Sequence, residues 1–141
     1  HRDTPFIFLG GPTTCVFSDS NGASDILAAL KAGHAYFIFS PDGPGLEMKV
    51  NEEIILGDSV KWSDYDSFMF EINKIKAGDK IRVVTAQENV IVWDAPVDGS
   101  FKMTYKMEKS GFARLEVLRA FLPGLPLLPA LISNPIYFDD N

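Results

Sequence analysis

From residue 45 onward, apolar and polar residues alternate with a period of two along most of the chain. The clearest examples are Ser100–Lys106 (SFKMTYK) and Phe112–Leu118 (FARLEVL), in which Ala113, Leu115 and Val117 are predicted to face inward. Such alternation indicates strands with one buried and one solvated face. Turn residues separate about seven short strands of this kind, a spacing that predicts an antiparallel β-sandwich.

The preceding stretch, Gly10–Ser40, has a different pattern, which predicts strand, helix and strand. Thr13–Ser18 is rich in β-branched and aromatic residues, and Ala35–Phe39 is a continuous apolar run typical of a strand covered on both faces. Between them, Ala23–Ala32 is predicted as an amphipathic helix, with Gly33 as its left-handed C-terminal cap. The apolar stripe of this helix consists of Ile26, Leu27, Ala29 and Leu30.

Two proline-rich stretches mark further features of the chain. The sequence PDGPG at residues 41–45 is the strongest linker signal, so we predict two domains, residues 1–44 and 45–141. The stretch Ala120–Ile132 is the most apolar run. It is too short and too rich in proline to cross a bilayer, and we predict a buried extended segment that packs across the core.

Composition narrows the possible functions of this 141-residue chain. The formal net charge is −6, which argues against a nucleic-acid surface because phosphate binding needs clustered cations. We expect no membrane-spanning segment and no signal peptide. Cys15, the one cysteine, excludes an internal disulfide. It fits a reducing, cytoplasmic location, although secreted proteins without disulfides also exist.

The sequence offers no complete set of catalytic residues, so we predict no catalytic residue and no cofactor within this chain. His34 follows the predicted helix cap, where a structural or surface role is expected. Cys15 falls in a predicted strand, where it is expected to act as a small buried apolar residue. A metal site needs converging ligands, and the two histidines are not in a spaced motif.

Binding of a sugar or a peptide by exposed aromatic side chains is an alternative function. Strand aromatics are more often core residues than binding platforms, and the solvent exposure of Trp62 and Trp93 separates these possibilities. The candidate aromatic residues are Tyr36, Trp62, Tyr65, Trp93, Tyr105 and Tyr137.

The opening stretch contains GGPTTCVFS followed by ILAALKAGHAYFIFSPDGPGLEM. It resembles the segment after the last metal-binding motif of PHP-type (polymerase and histidinol phosphatase) metal-dependent phosphoesterases. In one branch of that superfamily, a G-x-P-x-T-x-V strand leads to an I-x-x-A-I/L-x-x-G helix, an aromatic strand and a Gly-Pro turn. The matching residues are Gly10, Pro12, Thr14, Val16, Ile26, Ala29, Leu30, Gly33, Gly43 and Pro44.

Two later stretches strengthen the resemblance. Arg114–Val117 (RLEV) is similar to the R-V/L-E-V strand near the end of such proteins, and Ala130–Tyr137 (ALISNPIY) resembles their terminal A-L-T-N-P-I-Y. Here Ile132 and Ser133 replace a single threonine of the family pattern. The middle of the chain, residues 51–109, has no match.

The resemblance implies that a catalytic α/β barrel, which binds two or three divalent metals such as Zn, Mn or Fe, belongs to the same parent protein. Its late metal motif, S-D-x-H, comes just before the Gly-x-Pro strand. His1 is therefore either the histidine of that motif, and a metal ligand only together with the barrel, or a residue without a role. The other ligands are absent, so this chain alone is expected to be inactive.

We therefore expect a mainly β protein: an immunoglobulin-like antiparallel sandwich preceded by the strand–helix–strand remnant of a PHP barrel. The expected function is that of a non-catalytic C-terminal accessory domain, which stabilises or caps the barrel of a phosphoester hydrolase. The expected partner is the upstream barrel of the same parent protein, and a second copy of the chain is the alternative partner. The alternatives are a free-standing carbohydrate- or peptide-binding sandwich and a structural oligomerisation domain.

Overall fold

The computed structural model of the chain describes residues 6–8, 13–40 and 42–140. Within these residues the protein is mainly β, with twelve strands and one helix, which confirms the predicted β-rich class. The elements are β1 (Phe6–Phe8), β2 (Thr13–Val16), α1 (Ala23–Lys31), β3 (Ala35–Ile38), β4 (Gly45–Lys49), β5 (Ser59–Lys61), β6 (Ser67–Ile75), β7 (Lys80–Thr85), β8 (Asn89–Asp94), β9 (Gly99–Lys106), β10 (Gly111–Arg119), β11 (Leu128–Ser133) and β12 (Ile136–Asp139).

The described strands form a large sheet of nine strands and a small sheet of three. The large sheet runs β1-β2-β3-β11-β10-β12-β5, and β7 and β8 extend it from the other side of β10. The small sheet has the order β4-β6-β9. Neighbouring strands pair antiparallel in both sheets, apart from β12 and β5, which run parallel.

The helix forms where its sequence pattern predicts it. It ends at Lys31, and Gly33 adopts the predicted left-handed conformation with φ of 77°. The flanking strands β2 and β3 pair antiparallel, whereas consecutive strands of an α/β barrel run parallel. In addition, β3 pairs with β11, so strands from both sides of the predicted boundary at residues 44/45 share one sheet. The boundary itself stays a prediction.

One face of the large sheet and one face of the small sheet contribute to a common apolar core. The rings of Phe68 in β6 and Phe138 in β12 lie 6.2 Å apart between centroids, which connects the two sheets directly. The predicted inward-facing residues of β10, Ala113, Leu115 and Val117, are fully buried here. The period-two pattern therefore identified the core face of this strand correctly.

The opposite face of the large sheet is called the outer face below. Helix α1 covers one end of it, where Ala29 packs with Val16 and Ala35. Ala29 alone among the helix residues is buried. Of the predicted apolar stripe on α1, Ala29 is buried, whereas Leu27 and Leu30 are exposed.

Two further burial predictions need correction. Phe37 and Phe39 on the outer face are exposed, so β3 is not covered on both faces. In the segment Ala120–Ile132, the end that forms β11 is buried at Ala130 and Leu131, but Phe121, Leu122 and Leu125 are exposed. Prolines lack a backbone N–H donor, and those in residues 120–127 keep this part out of the sheet ladder.

Candidate functional site

The predicted metal ligand, His1, lies outside the described residues, as do Gly10 and Pro12 of the first family pattern. Among the residues that are described, no group of three or more His, Cys, Asp or Glu side chains is placed to hold a metal ion. The described residues by themselves do not fit the metal centre that the resemblance implies.

Cys15 in β2 and Tyr36 in β3 contact each other on the core face of the large sheet. Burial raises the pKa of the Cys15 thiol, although a hydrogen bond with Tyr36 opposes the change. Burial also raises the pKa of the Tyr36 hydroxyl, which hydrogen-bonds the backbone of Leu46. Both groups stay protonated at neutral pH. A protonated, inaccessible thiol is a poor nucleophile, so Cys15 has the predicted structural role.

His34 is paired with Asp58, and the pair connects the end of α1 to the 54–58 turn. Its Nε2 lies 2.6 Å from Asp58 Oδ1, and Asp58 Oδ2 accepts a hydrogen bond of 2.9 Å from the Ile55 N–H. Both carboxylate oxygens are therefore engaged, and both side chains are largely withdrawn from solvent. This arrangement agrees with the structural role that was predicted for His34.

The three stretches that carry the family resemblance meet at this junction. Asn134 Nδ2 donates to the Gly33 carbonyl at 3.0 Å, which joins the last stretch to the first. The Leu115 N–H donates to Ser133 Oγ at 2.8 Å, where β11 gives way to β12, and joins the middle stretch to the last. Ser133, one of the two residues that depart from the family pattern, thus closes a gap in the sheet ladder.

A cleft of about 820 Å³ opens beside β4 and is lined by residues of both sheets. Its apolar lining includes Phe17, Tyr36 and Leu46. Charged side chains line the rest, and Lys49 forms ion pairs of 2.9 Å with both Glu47 and Glu52. Hydrogen bonds to Glu52 and Glu47 raise the pKa of Lys49. The cleft has the size of a small-molecule site, but the charge of Lys49 is already neutralised by Glu47 and Glu52.

The two tryptophans are core-packed rather than arranged as an open platform. Both indoles are half-buried against the common core. Trp93 stacks on Phe101 with 4.4 Å between centroids, and Trp62 Nε1 donates to the Met107 carbonyl at 3.4 Å. This packing gives no support to the carbohydrate- or peptide-binding alternative at these two residues.

Four apolar side chains on the helix side of the large sheet are exposed to solvent. Leu27 and Leu30 of α1 have exposed fractions of 56% and 38%, and those of Phe37 and Phe39 are 37% and 44%. We call these four residues the docking face. Exposed apolar side chains that form one patch on a protein surface commonly mark a contact with another folded surface.

An ion-pair cluster lies further along the outer face. The buried carboxylate of Glu116 in β10 accepts from Arg82 Nε at 2.8 Å and also from Arg82 Nη2 and Arg114 Nη1. Burial alone would raise the pKa of Glu116, but hydrogen bonds and charges from Arg114 and Arg82 outweigh it, so the pKa lies below its ordinary value. This cluster was not predicted from the sequence. The sequence feature that indicates part of it is the R-x-E spacing of Arg114 and Glu116 within one strand, which places both side chains on one face.

This cluster predicts a pH-dependent contribution to stability. The folded-state pKa of Glu116 is lowered from its ordinary value of 4.5. The ion-pair cluster therefore stabilises the fold above that pH, and this stabilisation is lost as the pH falls through the lowered pKa. We expect Glu116→Gln to lower the free energy of unfolding by about 1–3 kcal/mol at pH 7, and the difference from wild type to shrink toward pH 3. Urea unfolding at a series of pH values measures it.

The control for this prediction is Glu53→Gln, at an exposed glutamate in the 51–53 turn. We expect that variant to stay within about 0.5 kcal/mol of wild type at pH 7. A Glu116→Gln difference that is constant or increases on acidification would contradict the assigned ion pairs.

No family model, curated protein or solved structure matches the chain. The class of molecule is therefore defined by its fold alone: a mainly β chain with two antiparallel sheets around a common core. In the described part of the chain, no helix has both the length and the apolarity to cross a membrane.

Proposed function

We propose that this chain is a non-catalytic accessory segment of a PHP-type metal-dependent phosphoesterase, and that it stabilises or caps the catalytic barrel. The observation that carries the proposal is the docking face. Its four apolar residues belong to α1 and the β3 region, the same stretch whose sequence resembles the barrel-proximal segment of that family. Covering these side chains with a second folded surface would remove apolar area from water and stabilise the assembly.

The junction around Asn134 also supports the proposal. The Asn134–Gly33 hydrogen bond joins two stretches of the family pattern that are 101 residues apart in sequence. The Leu115–Ser133 hydrogen bond joins two more that are 18 residues apart. We further propose that the two sheets form the predicted immunoglobulin-like sandwich. Because β2 and β3 pair antiparallel, the proposal places this segment against the barrel, not within its parallel wall.

The proposal predicts that a PHP barrel is encoded immediately upstream of His1 and that this barrel, expressed separately, is stabilised by the chain. At a chain concentration about 100-fold above Kd, we expect the Tm of the barrel to rise by about 5–10 °C. We also expect faster phosphoester hydrolysis with Zn, Mn or Fe. The chain alone should hydrolyse nitrophenyl phosphate no faster than buffer containing the same metal.

A matched pair of variants tests the docking face. Phe37→Ser/Phe39→Ser should abolish most of the Tm increase, whereas Val97→Ser, an exposed apolar residue in the β8–β9 connection, should retain it. Circular dichroism checks that both variants remain folded. An upstream sequence without a PHP barrel would overturn the proposal. So would a barrel whose Tm and activity are unchanged when the chain is added.

The same variants distinguish the accessory-segment proposal from the alternative of a structural oligomerisation domain. If the docking face is instead covered by a second copy of the chain, the wild type forms a dimer by analytical ultracentrifugation and Phe37→Ser/Phe39→Ser is a monomer. That result, together with no effect on the barrel, would favour the structural oligomerisation domain.

A further inference from the structure

A row of side chains crosses the outer face at the ion-pair cluster. Strand register places Ile91 opposite Arg82, Arg82 opposite Glu116, Glu116 opposite Ile132, and Ile132 opposite Phe37. Directly opposed residues of antiparallel strands project to the same side, so all five lie on one face. With strands about 4.8 Å apart, the row is about 19 Å long. A charged centre is thus flanked by apolar side chains at both ends.

The charged centre has one more cation than it needs to neutralise Glu116. Arg82 donates to Oε1 of Glu116 through Nε and Nη2, and Arg114 donates to Oε2 through Nη1. Each guanidinium carries five N–H donors, and no other described residue accepts from either of them. The Arg82 and Arg114 side chains are 31% and 30% exposed, so the remaining donors are within reach of solutes.

The shared carboxylate also holds the two guanidinium groups in place. A side chain that is already fixed loses less conformational entropy when it binds a ligand, which favours tight binding. Arginine donors match the oxygens of carboxylate and phosphate groups, with which they form charge-assisted hydrogen bonds. A net charge of +1 at this point contrasts with the formal charge of −6 on the whole chain.

We propose that Arg82 and Arg114, held by Glu116, form a binding site for an oxoanion group, carboxylate or phosphate, of a ligand whose apolar part lies on Ile91. Ile91 is 41% exposed and directly opposite Arg82, so an apolar body attached to the anion covers it. The proposal concerns Arg82, Arg114 and Ile91, and it does not depend on the accessory function proposed above.

The experiment is an NMR titration of the full chain with inorganic phosphate, phenyl phosphate, acetate and benzoate. We expect saturable shifts at the Arg82 and Arg114 Nε–H signals and at the Ile91 methyls. Phenyl phosphate should bind about tenfold more tightly than phosphate, or benzoate than acetate, because the ring covers Ile91. Comparison of the phosphate and carboxylate series decides which oxoanion the site prefers.

Variants distinguish a built site from diffuse attraction. Arg114→Gln should weaken binding about tenfold. Lys80→Gln removes the same charge from the Lys80–Asp94 pair, which joins β7 to β8, and should change binding less than about twofold. Ile91→Ala should weaken only the ligands that contain a ring. No saturable shift at either arginine, equal weakening by the two charge variants, or equal affinity of ring-containing and simple anions would overturn the proposal.

Discussion

Replacing Asp79 with alanine is expected to lower the free energy of unfolding by about 3–5 kcal/mol. Asp79 and Arg119 are both buried, and the guanidinium donates from Nε to Oδ1 at 3.0 Å and from Nη2 to Oδ2 at 2.8 Å. Oδ2 also accepts from the Lys76 N–H at 2.9 Å. Alanine would leave the Arg119 charge buried without its counter-ion, and would leave a turn donor unsatisfied. Equilibrium unfolding in urea measures the loss.

Two comparisons test whether burial of the ion pair causes the loss of stability in Asp79→Ala. Asp94→Ala removes the exposed Lys80–Asp94 pair on the neighbouring strands and should cost less than about 1 kcal/mol. The double change Asp79→Leu/Arg119→Met removes both charges and should be less destabilising than Asp79→Ala, because no unpaired charge stays buried. If Asp79→Ala and Asp94→Ala destabilise equally, the pair does not have the buried role described.

Gly57→Ala is expected to lower the free energy of unfolding by about 3–5 kcal/mol, because backbone strain and steric crowding act together. Gly57 has φ of +91°, and a Cβ there would lie 2.4 Å from the carbonyl oxygen of Gly33 and 2.6 Å from that of Ala32. These are backbone atoms at the end of α1, where the Asn134 side chain is also bound, so they cannot easily move away. Urea unfolding measures the change in free energy.

Gly78→Ala provides a matched control for the crowding. Gly78 has almost the same backbone conformation, with φ of +90°, but a Cβ there would have no neighbour within 4 Å. Gly78→Ala should lower the free energy of unfolding only by the strain of the positive φ, about 1–2 kcal/mol. The difference between the two variants isolates the close approach of Gly33 and Gly57. Equal losses would mean that the two turns are not in tight contact.

The hydrophobic pattern predicted much of the secondary structure because local geometry produces that pattern. Period-two alternation identified β9 and the inward face of β10, and helical spacing with a following glycine identified α1 and the left-handed Gly33. The same pattern could not say what lies against each apolar face. Phe37 was expected to be buried and is exposed, since burial depends on a neighbouring element as well as on the residue itself.

The candidate sites were less accessible to sequence analysis than the strands. Arg82 and Glu116 are 34 residues apart in sequence, and Asp79 and Arg119 are 40 apart. The partners meet only because β7 and β10 adopt one particular register, which one sequence does not reveal. The prediction of His1 as a metal ligand stays a prediction, since that residue lies outside the described part of the chain.

The sequence by itself determined the β-rich class, the position of the helix and the residues that turn inward in several strands. These properties follow from backbone preferences and from side-chain alternation over short stretches. The tertiary structure alone decided that β3 joins β11, that a buried carboxylate holds Arg82 and Arg114, and that the side chains of the docking face are exposed. Each of these depends on contacts between distant strands, whose pairing is decided by the packing of the whole core.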